Sequence, residues 1–162
     1  MRAIKMGEKM IGDGHPTFII AEMAWSHDGS IEKARKIIKA AAMAKADAVC
    51  FHITSMKDYM ALEYRTGKGR VSAGKESRPI YEYLSSINLS KKAWRKLFSY
   101  ARKLELLICT MCNDLPSVNF TSGLRPDAYV ISPASICEET LVREVARKKK
   151  PVFLALFLAG SF

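Results

Sequence analysis

The sequence has no apolar segment long enough to cross a bilayer and no apolar core of the kind that a secretory signal carries near the N-terminus. Its longest apolar run, residues 152–160, is much shorter than the roughly 20 residues that a membrane-spanning helix needs. We therefore expect a cytoplasmic protein that has no membrane partner.

Glycine and proline are also scarce, at nine and six of 162 residues, which excludes a collagen-like chain. Hydrophobic residues make up 49% and charged residues 26%, whereas disordered chains are poor in apolar residues. The length suits one globular domain of about 100 to 200 residues. Because no repeat or linker is visible, residues 1–162 are expected to form a single domain.

Acidic residues are few beside basic ones, sixteen against twenty-six, so the formal net charge is +10. This charge favours anionic partners, but no recognition motif or interleaved aromatic platform accompanies it. A solvated basic face is the preferred interpretation, and nucleic acid is not an expected partner. Four cysteines without an export signal indicate reduced thiols, a metal site or redox chemistry before disulfides.

Short apolar runs alternate with amphipathic helical patterns along most of the chain. Strands are predicted over residues 17–22, 48–53, 106–110, 128–132 and 151–158. Helices are predicted over residues 31–44, 91–104, 115–124 and 138–147, with Ser30 and Ser90 as caps of the first two. The alternation predicts an α/β fold with parallel strands and outer helices, because each crossover returns the chain to the same end of the sheet.

Two further segments do not follow this alternation. Residues 3–6 and 9–11 surround Gly7 and predict a small N-terminal hairpin. Residues 56–86 predict a long loop beside a ligand site, with a short helix near residues 79–84. Within that loop, residues 69–76 fit a phosphate-binding loop until Glu76 takes the place of the magnesium-binding Ser or Thr, so a flexible basic loop is the preferred interpretation.

The densest polar segment, residues 21–30, follows the first predicted strand. Glu22 ends this strand and is either a structural hydrogen bonder or a site acid or base. Its position favours the site, because open α/β sheets and barrels bind ligands at the C-terminal ends of their strands. His27 fits turn stabilisation and ligand contact equally well.

Cysteine and histidine also gather at these strand ends. Cys50 and His52 lie two apart on one predicted strand and therefore point to the same face. Cys109, Cys112 and Cys137 come at or after later strands. The spacing of Cys109 and Cys112 supplies only half of a four-ligand cage, so ordinary buried cysteines are favoured over a zinc or thiol site.

Several of these segments carry a family resemblance. Residues 14–22, 27–30 and 46–52 resemble the N-terminal half of the sialic acid synthases, a family that includes legionaminic, pseudaminic and spore-coat relatives. Residues 89–94, 97–101, 127–129 and 150–152 extend the resemblance over nearly the whole chain. It implies a (β/α)8 barrel that condenses phosphoenolpyruvate with an N-acyl hexosamine, using divalent manganese or magnesium, and a C-terminal antifreeze-like domain.

Several positions depart from the family pattern. Cys50-Phe51-His52 stands where the family has Lys-Phe-Gln, whose Lys holds the phosphate of phosphoenolpyruvate. Met111, Val130 and Pro133 stand where the family has Thr, Lys and Ser. Each exchange removes a donor that a phosphate needs. The resemblance thus leaves Glu22 as the candidate catalytic residue, and the candidate substrate-binding positions are His27, Cys50, His52, Met111, Val130, Ser132 and Pro133.

The chain carries about five of the eight strand-helix units, so we expect an incomplete TIM-barrel-like fold without the antifreeze-like domain. We expect a catalytically degenerate protein that binds no metal alone and whose barrel is completed by a homo-oligomer or a partner chain. Two alternatives stay open. One is a noncatalytic sugar-binding or assembly partner of an active synthase. The other is a zinc or thiol protein centred on Cys50, His52, Cys109 and Cys112.

Overall fold

The chain begins with a small antiparallel hairpin. A computed structural model describes residues 3–59 and 80–156, and in it β1 (Ile4–Met6) pairs with β2 (Lys9–Ile11). Gly7 makes the turn at φ +59°, and a Cβ there would lie 2.6 Å from Leu107 Cδ2. Glycine adopts this left-handed backbone without strain and leaves room for the Leu107 side chain. The predicted N-terminal hairpin is confirmed.

Five strands of the described chain form one parallel sheet in the order of the sequence. They are β3 (Ile20–Glu22), β4 (Ala48–Ile53), β5 (Leu107–Cys112), β6 (Ala128–Ile131) and β7 (Val152–Leu154). Each strand pairs in parallel with the one before it. The sheet curls into half of a barrel, which confirms the predicted incomplete TIM-barrel-like fold.

Helices connect the strands and cover the outer face of the sheet. They are α1 (Ile31–Met43), α2 (Met56–Tyr59), α3 (Ile80–Ile87), α4 (Lys91–Lys103), α5 (Leu115–Ser122) and α6 (Glu139–Arg147). The Ser30 hydroxyl accepts from the Lys33 amide and the Ser90 hydroxyl from the Ala93 amide, both at 3.2 Å. Both predicted caps are confirmed, because each hydroxyl satisfies an amide that the first helical turn leaves free.

A left-handed residue follows four of these helices. Lys45, Glu105, Arg125 and Lys149 have φ between 54° and 58° and come after α1, α4, α5 and α6. After α1 the Ala46 amide donates back to the Ala41 carbonyl at 3.0 Å, and after α4 the Leu106 amide donates to Ala101 at 3.2 Å. These bonds satisfy terminal carbonyls and turn the chain toward the next strand.

The two faces of the sheet have different cores. On the outer face, Phe51 of β4 packs on Trp94 and Phe98 of α4, with ring centroids 5.5 and 5.4 Å apart. On the inner face the cluster is built from smaller residues: Met6 of the hairpin with Ala48, Cys50, Cys109, Ala128 and Val130. Met6 is 1% exposed, so the hairpin covers the inner face at the N-terminal ends of the strands.

The largest differences between the predicted and observed elements are in four places, and the other bounds agree to within two residues. The first strand of the sheet begins at Ile20 rather than residue 17, and the third is shifted to Leu107–Cys112. The predicted loop 56–86 contains α2 and α3, while its phosphate-loop-like run, 69–76, lies outside the described residues. The last strand ends at Leu154, and residues 157–158 of its predicted span also lie outside. In the described ranges no helix has the length and apolar character needed to span a membrane.

Candidate functional site at the C-terminal edge of the sheet

The strand register brings the predicted site residues to one edge of the sheet. Glu22 lies opposite Cys50, and His52 lies opposite Met111, which in turn lies opposite Val130. Because all five strands are parallel, these positions share the C-terminal edge. We call this edge, with the loops that follow its strands, the mouth.

Glu22, Cys50 and His52 form a compact group at the mouth, and one ligand atom from each lies within 4.8 Å of the others. The Glu22 Oε1 atom is 3.2 Å from His52 Nε2 and accepts the Ala24 amide at 2.9 Å. Ala24 adopts φ 43°, which turns its amide back toward the carboxylate. The chain after β3 therefore holds the carboxylate against the β4 side chains.

The charges in this group are set by its contacts. Burial acts to raise the pKa of Glu22, but the His52 imidazole, the Ala24 amide and the Cys50 thiol together lower it below its ordinary value. Burial and the adjacent Glu22 carboxylate raise the pKa of the Cys50 thiol far above its usual range. At neutral pH the group therefore contains an ionised carboxylate beside a protonated thiol.

The His52 ring nitrogen is close to this carboxylate without being aligned to it. The side chain of His52 is 18% exposed, and its Nε2 atom is buried with no partner in hydrogen-bond geometry among the described residues. A buried polar atom without an aligned partner is costly and unusual in a folded protein. Nε2 thus remains available to a ligand at the mouth.

His27 lies in the outer layer rather than beside these three residues. It is 0% exposed, its Nδ1 accepts the Gly29 amide at 3.1 Å, and its ring meets Trp94 edge-on at 5.7 Å between centroids. Burial lowers the pKa of His27 to about 4, so the imidazole is neutral at physiological pH. The contacts are those of a turn-stabilising residue, and ligand contact by His27 stays a prediction.

The remaining predicted substrate positions divide into two groups. Met111 and Val130 pack with Cys50 in the inner cluster, so these three positions are brought together. Ser132 and Pro133 lie in the loop after β6, where Pro133 starts a short 3₁₀ turn and the Ser132 and Ser135 hydroxyl oxygens are 3.0 Å apart. Their predicted role in substrate binding stays a prediction.

The structure corrects the proposed cysteine centre. Cys109 belongs to the inner cluster with Cys50, whereas Cys112 lies in the outer core, with its Sγ 3.3 Å from Thr121 Oγ1. Residues three apart on a strand point to opposite faces, so Cys112 cannot join Cys50 and His52. Burial raises the pKa of both Cys109 and Cys112 to about 12. Cys137 is exposed before α6.

A second feature of the mouth was not predicted from the sequence. A groove between the loops after β4, β5 and β6 is lined in part by Asp58, Asp114 and Glu138. Asp114 is 5% exposed and accepts from the Ser55 amide and the Ser117 amide, each at 2.8 Å. The signal for Asp114 was its place just before α5, where aspartate is a favoured cap. Its bond across to the β4 loop depends on the tertiary fold.

The chain is similar to several known proteins. The model of the NeuB family matches residues 37–159, which is most of the chain. The chain belongs to the NeuB family. The spore coat polysaccharide biosynthesis protein SpsE of Bacillus subtilis is 30% identical to this NeuB-family chain over 155 residues, covering 96% of the chain and 41% of SpsE. A pseudaminic acid synthase of Campylobacter jejuni is 31% identical over 143 residues, covering 88% of the chain and 41% of that synthase.

A solved structure is also similar to the chain. The sialic acid synthetase of Leptospira borgpetersenii superposes with a TM-score of 0.80 at 27% identity, covering 99% of the chain and 51% of that structure. The NeuB-family chain described here spans about two fifths of the length of the curated relatives above, each covered to 41%. The resemblance stated from the sequence is confirmed.

The donor atoms at the mouth do not fit the manganese or magnesium that the family resemblance implies. Magnesium binds oxygen ligands in near-octahedral geometry, and manganese also prefers carboxylate, carbonyl and water oxygens. Glu22, Cys50 and His52 offer one carboxylate, one thiol and one imidazole. No chemical step through a hard divalent ion is therefore derived for these residues.

Proposed function

We propose that this chain is a synthase-like half barrel that does not itself condense phosphoenolpyruvate with an N-acyl hexosamine. The observation that carries the proposal is the inner face at the mouth, where Cys50, Met111 and Val130 pack in one cluster. The family resemblance places phosphate-binding Lys, Thr and Lys at these positions. An apolar cluster with a protonated thiol offers a phosphate little to bind.

The charges around this cluster support the same proposal. The pKa of Glu22 is lowered, because its contacts with His52, Ala24 and Cys50 outweigh its burial, so the carboxylate is ionised. A separate groove, between the loops after β4, β5 and β6, is lined in part by Asp58, Asp114 and Glu138. Negative charge repels a phosphorylated acid, whereas carboxylates accept hydrogen bonds from neutral hydroxyl groups. The mouth is therefore better suited to an uncharged sugar than to phosphoenolpyruvate.

A second candidate function is assembly with another chain. Apolar side chains are exposed at the two outer strands of the described sheet, with Ile19 at 50%, Leu154 at 55% and Leu156 at 75%. Exposed apolar patches of this kind often mark protein contacts. We propose that a second copy or a partner chain covers them. A cytoplasmic location is also proposed, and the four unpaired cysteines support it.

The enzymatic proposal is tested by an assay with manganese, phosphoenolpyruvate and N-acetylmannosamine, in which sugar-dependent phosphate release is measured. A lost charge-assisted contact costs about 1.5 to 3 kcal/mol. Two such losses, if additive, weaken binding by roughly a hundredfold or more. We expect no release above background, with an active sialic acid synthase as the positive control. Turnover by the wild-type chain that disappears in Glu22→Ala would refute the proposal.

The sugar and assembly candidates need separate measurements. Titration calorimetry should give heat with N-acetylmannosamine, less with Glu22→Ala, and none with phosphoenolpyruvate. Light scattering should give a mass above 18.1 kDa, reduced by Leu154→Lys but not by Lys39→Glu on the exposed face of α1. A stable monomer at micromolar concentration would contradict the assembly candidate.

A further inference from the structure

We propose that Glu22, Cys50 and His52 form a binding site for a zinc-type divalent ion. This inference goes beyond the proposed function and does not depend on it. It starts from the two side chains that replace the family Lys and Gln on β4 and from their meeting with the carboxylate that ends β3.

The donor set is the first argument. Thiolate sulfur, imidazole nitrogen and carboxylate oxygen are the three protein ligands that zinc uses, and sites with three protein ligands leave a position for water or substrate. Cys50 and His52 are two apart on β4, so both project from the same face of the strand. Glu22 comes to that face from β3, opposite Cys50 in the register. The two paired strands thus hold three ligands on one face of the sheet and leave the fourth position of the ion open.

The distances between the donor atoms are the second argument. A nitrogen and an oxygen bound to one tetrahedral zinc ion lie about 3.3 Å apart, and a sulfur lies about 3.6 Å from either. The observed separation of His52 Nε2 and Glu22 Oε1 is 3.2 Å. All three donor atoms lie within 4.8 Å of one another. Zinc binding requires a side-chain rotation that brings the Cys50 sulfur to about 3.6 Å from the other two donors.

The third argument is that His52 Nε2 is buried without an aligned hydrogen-bond partner among the described residues. The nearby Glu22 oxygen is at contact distance but out of line. An ion between the two atoms gives the nitrogen lone pair a direct partner. It also places a dication at close range to the ionised Glu22.

The charge balance of binding follows from the protonated thiol. Zinc displaces the proton of Cys50 to solvent, and a sulfur–zinc bond forms as the S–H bond breaks. The ionised Glu22 carboxylate and the unprotonated Nε2 of the bound His52 each donate a lone pair, and no group changes oxidation state. Burial and Glu22 raise the pKa of the free Cys50 thiol, but a bound dication reverses this local effect and deprotonates a coordinating thiol. One proton is released for each ion bound.

Cys109 provides a matched control for the cysteine ligand. It lies opposite Cys50 on the neighbouring strand, in the same inner cluster and equally buried. It is nevertheless outside the group of three donors. A thiol lost at Cys109 changes the packing of the inner face as much as one lost at Cys50, but it removes no ligand.

The test is a titration of the purified chain with Zn²⁺, and with Co²⁺ as a spectroscopic substitute, in excess Mg²⁺. We expect one ion per chain and a thiolate-to-cobalt charge-transfer band in the near ultraviolet. Cys50→Ser should abolish the band, and both Cys50→Ser and His52→Gln should weaken Zn²⁺ binding by more than about 100-fold, the upper range for loss of an outer-shell partner. Cys109→Ser should retain the band and the affinity.

Three results would overturn the proposal: wild-type chain without the cobalt band, equal zinc affinity of wild type and Cys50→Ser, or loss of binding by Cys109→Ser as large as by Cys50→Ser. Circular dichroism of each variant identifies unfolding, and Glu22→Gln, which keeps the side-chain shape, then serves as the ligand variant. The synthase assay is read separately. Sugar-dependent turnover overturns the proposed function and leaves the zinc affinities unaffected.

Discussion

The two ends of the parallel sheet use carboxylates in different ways. At the N-terminal end, Asp127 immediately precedes β6 and accepts the Ile108 amide of the neighbouring strand at 2.8 Å. Asp47 immediately precedes β4 and accepts the Ile19 amide at 2.5 Å. Each clamps adjacent segments in register. At the C-terminal end, Glu22 contacts His52 out of alignment. The carboxylates at one end bond to the neighbouring strand and stabilise the sheet, whereas the one at the other end lies beside an imidazole nitrogen that has no aligned partner among the described residues and is open to a ligand.

Asp114 differs from Glu22, because it lies at the mouth and yet accepts several hydrogen bonds. Its substitution should therefore have the largest effect on stability. Asp114 accepts from the Ser55 amide, the Ser117 amide and the Ser117 hydroxyl. We expect Asp114→Ala to lower the free energy of unfolding by about 2 to 4 kcal/mol, since it removes a helix cap and leaves buried donors unpaired. Urea denaturation measures this loss.

Asp58→Ala is the control, because Asp58 lines the same groove but is exposed. Its substitution should change the free energy of unfolding by less than about 0.5 kcal/mol. Asp58 accepts from the Ser55 hydroxyl but stays exposed, so equal losses for Asp58→Ala and Asp114→Ala would mean that burial does not separate structural from exposed carboxylates at the mouth.

A second prediction concerns pH and the buried His27. Burial lowers its pKa from 6.5 to about 4 in the folded chain, so below pH 6.5 the unfolded chain binds a proton that the folded chain does not. Stability therefore falls as pH drops from 6.5 to 4, by roughly 2 to 3 kcal/mol in total. His27→Gln should remove this part of the pH dependence in chemical denaturation.

The exposed His15 supplies the comparison for His27. His15→Gln makes the same exchange at an exposed histidine, and the pH profile of its free energy of unfolding is measured beside that of His27→Gln. If His27→Gln and the wild type lost stability in parallel between pH 6.5 and 4, the neutral buried state assigned to His27 would be wrong.

The smallest expected effect compares one carboxylate from each end of the sheet. Asp127→Ala should cost about 1 to 2 kcal/mol, because the Ile108 amide loses its partner. Glu22→Ala should cost less than about 1 kcal/mol, since the Glu22 side chain is 45% exposed. Thermal unfolding of the two variants ranks them, and a larger loss for Glu22→Ala would reverse the assignment of the two ends.

Much of the fold was predictable because it depends on local pattern. The serine caps of α1 and α4 and the apolar run of β4 are short-range signals, and the order of strands follows from their alternation with helices. The position of Cys112 was missed because β5 extends two residues beyond its predicted end, and one strand residue decides which face a side chain occupies.

The site was only partly predictable, because tertiary packing decides the contacts. The strand-end positions of Glu22, Cys50 and His52 could be inferred from the sequence. Their approach to within 4.8 Å depends on the register between β3 and β4. The burial of His27 against Trp94 of α4 requires the helix to pack over the loop after β3, which no local pattern specifies.

The left-handed residues that follow the helices place basic side chains at one end of the sheet. Three of the four, Lys45, Arg125 and Lys149, are basic, and each lies where a helix ends and the N-terminal end of the sheet begins. The mouth at the opposite end carries Glu22 and the acidic groove. The three basic residues therefore lie at the same end as the bonded carboxylates Asp47 and Asp127, whereas Glu22 at the mouth has no lysine or arginine partner among the ion pairs of the described residues. On an anionic surface, such as a cation-exchange resin, the protein should adsorb by its base with the mouth turned to solution.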